Sequence, residues 1–187
     1  RRGPSPENES MKDWLPSLVR LFLYPFFRLF YSLRVVGGEN IPANGPALLL
    51  CNHVSYIDSV VITAALKRRP RFLMWSWFYE KPGIHLMARA FRAISITPER
   101  GARGIRPAID KVTEALAEGD LVVIFPEGTM TRTGHLQRLK RGFELIARQS
   151  GAPIIPVHID RLWGSIFSYY GGRYIWKWPS KLHRKIT

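Results

Sequence analysis

Between residues 47 and 160 the chain alternates two patterns. Short runs dominated by apolar residues, ALLLC at 47–51, LVVIF at 121–125 and PIIPVHI at 153–159, suit strands buried on both faces of a sheet. Residues 72–75 and 93–97 read as two further strands. The intervening stretches predict helices over 55–66, around 83–91 and over 139–150. The clearest helix is IRPAIDKVTEALAEG, where Ile105, Ile109, Val112 and Leu116 share one face. Pro107 suits its first turn and Gly119 its C-terminal cap. No internal repeat is evident. Strands alternating with helices predict an α/β fold with a largely parallel central sheet flanked by helices.

The N-terminal fifth has a different texture. Residues 1–10, RRGPSPENES, read as a linker or tail without the apolar core of a signal peptide. Residues 11–36 are rich in Leu and Phe and predict an aromatic-rich amphipathic helical segment. Arg20, Arg28 and Arg34 interrupt it, and Pro16 and Pro25 would start or kink a helix, so it falls short of the roughly 20 apolar residues of a span. An interfacial helix, with aromatics in the headgroup layer and arginines reaching phosphates, fits better than a span. A soluble helix packed on the core is the alternative. Residues 37–187 form the main domain, and its last residues, KLHRKIT, carry no turn or cap signal, as expected of a domain that continues further.

Charge narrows the partners. The 187 residues include 28 Lys and Arg against 14 Asp and Glu, a net charge of +14, which favours nucleic acid, anionic lipid or a phosphorylated substrate. Hydrophobic residues make up 46%, too many for a disordered chain. The single Cys51 excludes an internal disulfide and a multi-cysteine metal site. It agrees with a reducing compartment.

In open parallel sheets, ligands bind beyond the carboxyl ends of the strands. Two polar clusters fall there. The first is NHVSYID after the strand at 47–51. On one regular helix His53 and Asp58 would lie about 140° apart. They can meet only if His53 precedes the helix and Asp58 sits in its first turn. Asp58 would then fix the tautomer of His53 and leave its other nitrogen free as a general base. The plainer reading makes Ser55-x-x-Asp58 a capping box and His53 a loop residue. Ser55 as a cap and Cys51 as a buried thiol are poor nucleophiles, so direct attack by a substrate hydroxyl is favoured.

The second cluster, IFPEGTMTRTG, leaves the strand at 121–125 through Pro126 and Gly128. Glycine admits a ligand close to the backbone. Thr129, backbone N–H groups and Arg132 can hold a phosphate, and Glu127 can accept from a substrate hydroxyl. Lys140 and Arg141 would add positive field. An ordinary polar loop beside a solvated charge run is the alternative reading.

With both clusters in hand, the chain resembles the glycerolipid acyltransferases, which acylate glycerol phosphate and lysophospholipids. GGENIPANGPALLLCNHVSYID resembles the lead-in and His-x4-Asp motif, FRAISITPER the strand followed by arginine, VVIFPEGTMTRTG the Phe-Pro-Glu-Gly motif, and APIIPVHI the final Pro-containing strand. The resemblance covers 37–160 in the family's order. It implies His53 as base, Asp58 as its orienting partner, and Glu127 and Gly128 as binders of the glycerol phosphate head. Two departures bear on phosphate contacts: Met130 stands where the family often has arginine, with Arg132 two residues on, and Thr97 and Pro98 separate the ISI strand from Arg100. HIDRLWGSIFS is similar to bacterial acyltransferase domains fused to lysophospholipid transporters or acyl-carrier ligases, which favours a lysophospholipid acceptor such as 2-acyl-glycerophosphoethanolamine.

The resemblance further implies acyl-CoA or acyl carrier protein as co-substrate, with no cofactor and no metal. It implies membrane phospholipid and lysophospholipid as partners, no nucleic acid, and a place at the cytoplasmic face of the membrane. Two other classes remain: a basic nucleic-acid-binding module, motivated by the +14 charge with 10 Phe, 7 Tyr and 6 Trp, and a catalytically inactive membrane-surface domain.

Overall fold

The computed structural model describes residues 31–173 and 184–187, with Leu21 and Pro25 as isolated helical positions. The expected linker at 1–10 and most of the expected amphipathic segment, 11–30, lie outside the described residues. Where that segment was expected to continue as helix, Tyr31–Leu33 is a strand, β1. It pairs in parallel with β7, Arg184–Ile186, and packs Tyr31 and Leu33 on the core, so tertiary pairing overrides the local helical pattern. Among the described residues no helix is long and apolar enough to cross a membrane.

The main body follows the predicted alternation. In chain order come β2 (Ala47–Cys51), α1 (Asp58–Ala65), β3 (Pro70–Trp75), the short α2 (Ser76–Tyr79), α3 (Ile84–Ala90) and β4 (Ile94–Ile96). Then follow α4 (Ala102–Ala117), β5 (Leu121–Ile124), α5 (Gly142–Ser150) and β6 (Ile154–Val157). Five strands form one sheet in the order β4-β3-β5-β2-β6, every pair parallel.

The central strands β2 and β5 are buried on both faces, as their unbroken apolar sequences require. Leu49, Cys51, Leu121 and Val123 join Val61 and Ile62 of α1 in one cluster. Leu48, Val122 and Ile124 join Ile109, Val112 and Leu116 of α4 and Ile146 of α5 on the other face.

Three helix boundaries differ from expectation. Helix α1 begins at Asp58 rather than 55, because Ser55 bridges antiparallel to Ser168. Helix α4 begins at Ala102, which puts Pro107 inside it rather than in its first turn. Pro107 is exposed, and burial of Ala108, Ile109, Val112, Ala115 and Leu116 carries the helix past it. Its other end is as predicted: Gly119, at φ 86°, donates to the Leu116 carbonyl, and Asp120 N–H donates to that of Ala115. Helix α5 begins at Gly142 rather than 139, because Lys140 N–H donates to the Pro126 carbonyl at 2.7 Å and holds 139–141 in the preceding loop.

Since all five strands run the same way, Cys51, Trp75, Ile96, Ile124 and Val157 end along one edge. From neighbouring positions, β2 leads past β5 to β3, while β5 leads past β2 to β6. The two connections cover opposite faces, the switch point at which parallel sheets form a binding crevice.

Candidate active site

The chain is pinned as it leaves β2. Asn52 donates through Nδ2 to the Ile159 carbonyl at 3.1 Å and accepts Ile159 N–H at Oδ1 at 2.7 Å. His53 follows. Its Nδ1 lies 2.7 Å from Asp58 Oδ2. The same oxygen accepts Val54 N–H at 2.7 Å and Ser55 N–H at 3.0 Å. Asp58 is fully buried, and its Oδ1 has no hydrogen-bond partner among the described residues. The His53 side chain keeps 23% of its surface exposed and stacks on Phe125 with ring centroids 4.2 Å apart.

Both sequence readings of this turn therefore hold in part. Asp58 takes Ser55 N–H, as a capping box requires, while also holding the imidazole. The reciprocal half of the box is missing: Ser55 Oγ accepts Ile57 N–H, and Asp58 N–H goes to the Ser55 carbonyl. Where Asp58 Oδ2 accepts the Nδ1 proton, Nε2 is left with the free lone pair.

The loop after β5 is laced to the same residue. Glu127 is buried, and its Oε1 accepts His53 N–H at 2.7 Å while Oε2 accepts Gln137 N–H at 2.8 Å. Thr131 N–H donates to the His53 carbonyl at 2.9 Å. Buried Thr131 donates its hydroxyl to the His135 carbonyl and accepts Gly134 N–H. Gly134 has φ 84°, and a Cβ there would lie 2.6 Å from Trp163 Nε1, so only glycine fits the turn.

The expected site residues thus separate into groups. His53, Asp58 and Glu127 come together in one hydrogen-bonded knot. The expectation that Glu127 accepts from a substrate hydroxyl meets a carboxylate that is buried and already holds two backbone N–H groups. Gly128 and Thr129 are exposed on the loop, and Thr129 exchanges hydrogen bonds with Gln137. Lys140 runs its stem beside Gly128. Arg132 is exposed, its guanidinium 5.5 Å from the Tyr169 ring centroid. Arg100 ends the short helical turn Pro98–Arg100 after β4, three strand positions from β2. At the usual spacing that is roughly 14 Å along the sheet edge.

Two contributors escaped the sequence reading. Strand alternation puts Phe125 on the face of Leu121 and Val123, the signal that would have found the stack beneath His53. The Asn52–Ile159 tie spans 107 residues and has no local signal. Burial, and then the charges of Asp58 and Glu127, push the Cys51 thiol far up, so it stays protonated. Among the described residues no cluster of His, Cys, Asp and Glu is grouped to hold a metal ion.

Comparison with known proteins gives the family. The family model described as Acyltransferase matches residues 32–160. A chloroplastic 1-acyl-sn-glycerol-3-phosphate acyltransferase of Arabidopsis thaliana is 26% identical over 138 residues, 72% of this chain and 36% of that protein. A 1-acyl-sn-glycerol-3-phosphate acyltransferase of Bacillus subtilis is 28% identical over 127 residues, 67% of this chain and 61% of its own length. The chain thus spans well under two thirds of its plant relatives, 36% and 38% in two cases. The crystal structure of the 1-acyl-sn-glycerophosphate acyltransferase PlsC from Thermotoga maritima shares the fold, with a TM-score of 0.73 at 24% identity, covering 97% of this chain and 69% of that one.

Proposed function

The chain belongs to the acyltransferase family, and from that premise we propose that it transfers a fatty acyl group from a thioester to the hydroxyl of an acylglycerol phosphate or lysophospholipid. The observation that carries this reading is the 2.7 Å contact between His53 Nδ1 and Asp58 Oδ2, with the imidazole left part-exposed where two loops meet. The names of the relatives support the acceptor class.

In this mechanism the acceptor hydroxyl lies against His53 Nε2. The imidazole takes its proton as the oxygen attacks the thioester carbonyl. Asp58 holds the ring in one tautomer and stabilises the imidazolium that forms. The tetrahedral intermediate collapses, the C–S bond breaks, and the proton passes from Nε2 to the departing thiolate. The products are an ester and a free thiol. Phe125 fixes the ring plane from below, and Glu127 acts as a brace that holds the His53 main chain. The neutral, buried Cys51 thiol has no part in the transfer, and the acyl group passes directly to the acceptor hydroxyl.

Thr129, Lys140 and Arg132, on the exposed side of the loop, are the groups we assign to the phosphate of the acceptor, with Gly128 giving it room to approach. Arg100 serves from farther along the edge. The acyl donor is acyl-CoA or acyl carrier protein, and the enzyme works at the cytoplasmic face of a membrane, where the +14 charge meets anionic headgroups rather than nucleic acid.

The test is His53→Ala in the purified chain. Radiolabelled acyl thioesters, on both carriers, are offered with a panel of lysolipids. Transfer is expected to fall by about 10²–10⁴-fold while the circular dichroism spectrum is unchanged. Transfer at the wild-type rate would remove His53 from the chemistry, and with it this mechanism.

A further inference from the structure

The sheet edge that carries His53 also carries an uncovered aromatic surface. Trp75 ends β3, and Trp77 lies in α2; they are 46% and 61% exposed, with ring centroids 6.3 Å apart. Leu86 and Met87 on α3 are 51% and 42% exposed. Tyr56, three residues after His53, is 43% exposed and stacks on Phe78 of α2 at 6.5 Å, which joins this surface to the catalytic turn. Scattered exposed apolar residues are ordinary; a linked set that includes two tryptophans marks an interaction face.

Its charge says what covers it. Between residues 75 and 106 the chain has six basic residues and two acidic ones. One of the acids, Glu99, is occupied in accepting the Trp75 indole N–H. Lys81 holds its ammonium 3.9 Å from the Trp77 ring centroid. Arg89, Arg100 and Arg103 are exposed and make no ion pair among the described residues. Exposed indoles, one of them under Lys81, with exposed aliphatic side chains and three exposed arginines on the same stretch of chain, match the layered chemistry of a bilayer surface: hydrocarbon, interface, anionic headgroup.

We propose that α2, α3 and Tyr56 form a docking face that rests this edge of the sheet on an anionic phospholipid bilayer, presenting His53 to the headgroup layer. The inference rests on the acyl-transfer reading for its purpose, but its test needs no turnover.

The full chain carries one exposed cysteine, at Leu86→Cys, labelled with an environment-sensitive fluorophore; the buried Cys51 stays unlabelled. A matched label at Glu114→Cys, exposed on the late turns of α4, is the control. Mixed phosphatidylcholine/phosphatidylglycerol vesicles are expected to blue-shift the Leu86 label and leave the Glu114 label unchanged, with a much weaker shift on phosphatidylcholine alone. The pair Trp77→Ser and Arg89→Glu is expected to lower vesicle affinity by about tenfold or more, through lost insertion and reversed charge. A Leu86 label that stays in water while the chain co-sediments with the vesicles would overturn the proposal, as would binding to an oligonucleotide but not to vesicles. Absence of acyl transfer with the label shift intact would sink the catalytic reading and leave the docking face standing.

Discussion

The turn after β2 and the loop after β5 solve one problem in opposite ways. Each uses a buried carboxylate to gather backbone N–H groups. Asp58 does so locally: one oxygen takes His53 Nδ1, Val54 N–H and Ser55 N–H, all within five residues. Glu127 does so at long range, with one oxygen on His53, 74 residues away in sequence, and the other on Gln137. The first arrangement orients an imidazole; the second fixes where that imidazole stands relative to the rest of the crevice. A short turn can be built from its own residues, whereas a loop of more than a dozen residues needs an anchor on another strand to hold one shape.

The comparison breaks most visibly at Asp58. Asp58→Asn keeps the size but replaces an acceptor-only group with one that carries an N–H face. The three donors still share one oxygen, but it is now a neutral, weaker acceptor, and the amide NH2 takes the buried place of Oδ1, which has no partner among the described residues. Transfer is expected to drop by about 10²-fold or more. Stability should fall by about 2–4 kcal/mol, read from urea melts. A variant with wild-type activity would show that the carboxylate only caps the turn.

Glu127→Gln sharpens it. The amide oxygen can serve His53 N–H or Gln137 N–H but not both. A loss of about 1–3 kcal/mol is expected from the orphaned buried donor. Because the His53–Asp58 pair is untouched, the pH profile of kcat should keep its shape while its height falls. A change in the shape of that profile would mean Glu127 acts on the imidazole itself.

The smallest effect sits beneath both carboxylates. Burial and the two negative charges raise the Cys51 thiol far above its usual value of about 8.5. The folded state therefore keeps this proton where the unfolded state loses it. That contribution is complete below about pH 8.5 and is lost as pH rises beyond it, at up to about 1.4 kcal/mol per pH unit. Cys51→Ala should flatten the alkaline limb of the stability curve by that slope. At neutral pH, iodoacetamide should leave Cys51 unmodified in the native protein.

Much of this was legible from local pattern. The unbroken apolar runs at 47–51 and 121–124 became central strands buried on both faces, since only such a place satisfies them. Helical geometry set the condition for His53 to meet Asp58, since residues five apart can do so only across a helix start, and left the plain capping box open. Other features were hidden for physical reasons. The helical pattern before residue 36 gave no sign that Tyr31–Leu33 would pair with Arg184–Ile186, a partner some 150 residues away. The reading of Pro107 as a first-turn residue failed because burial of the α4 stripe outweighed a local breaker. Nothing in the neighbourhood of Glu127 announces that it is buried and that each of its oxygens already holds a backbone N–H.

What the sequence alone determined was the α/β alternation, the two polar turns and the condition under which His53 can meet Asp58, all of which depend on contacts within a few residues. The tertiary structure decided the strand order, the lacing of the second loop to His53, the aromatic platform of Phe125, and which cations and tryptophans stay uncovered. Those are set by how distant segments share one core, and no periodicity along the chain records it.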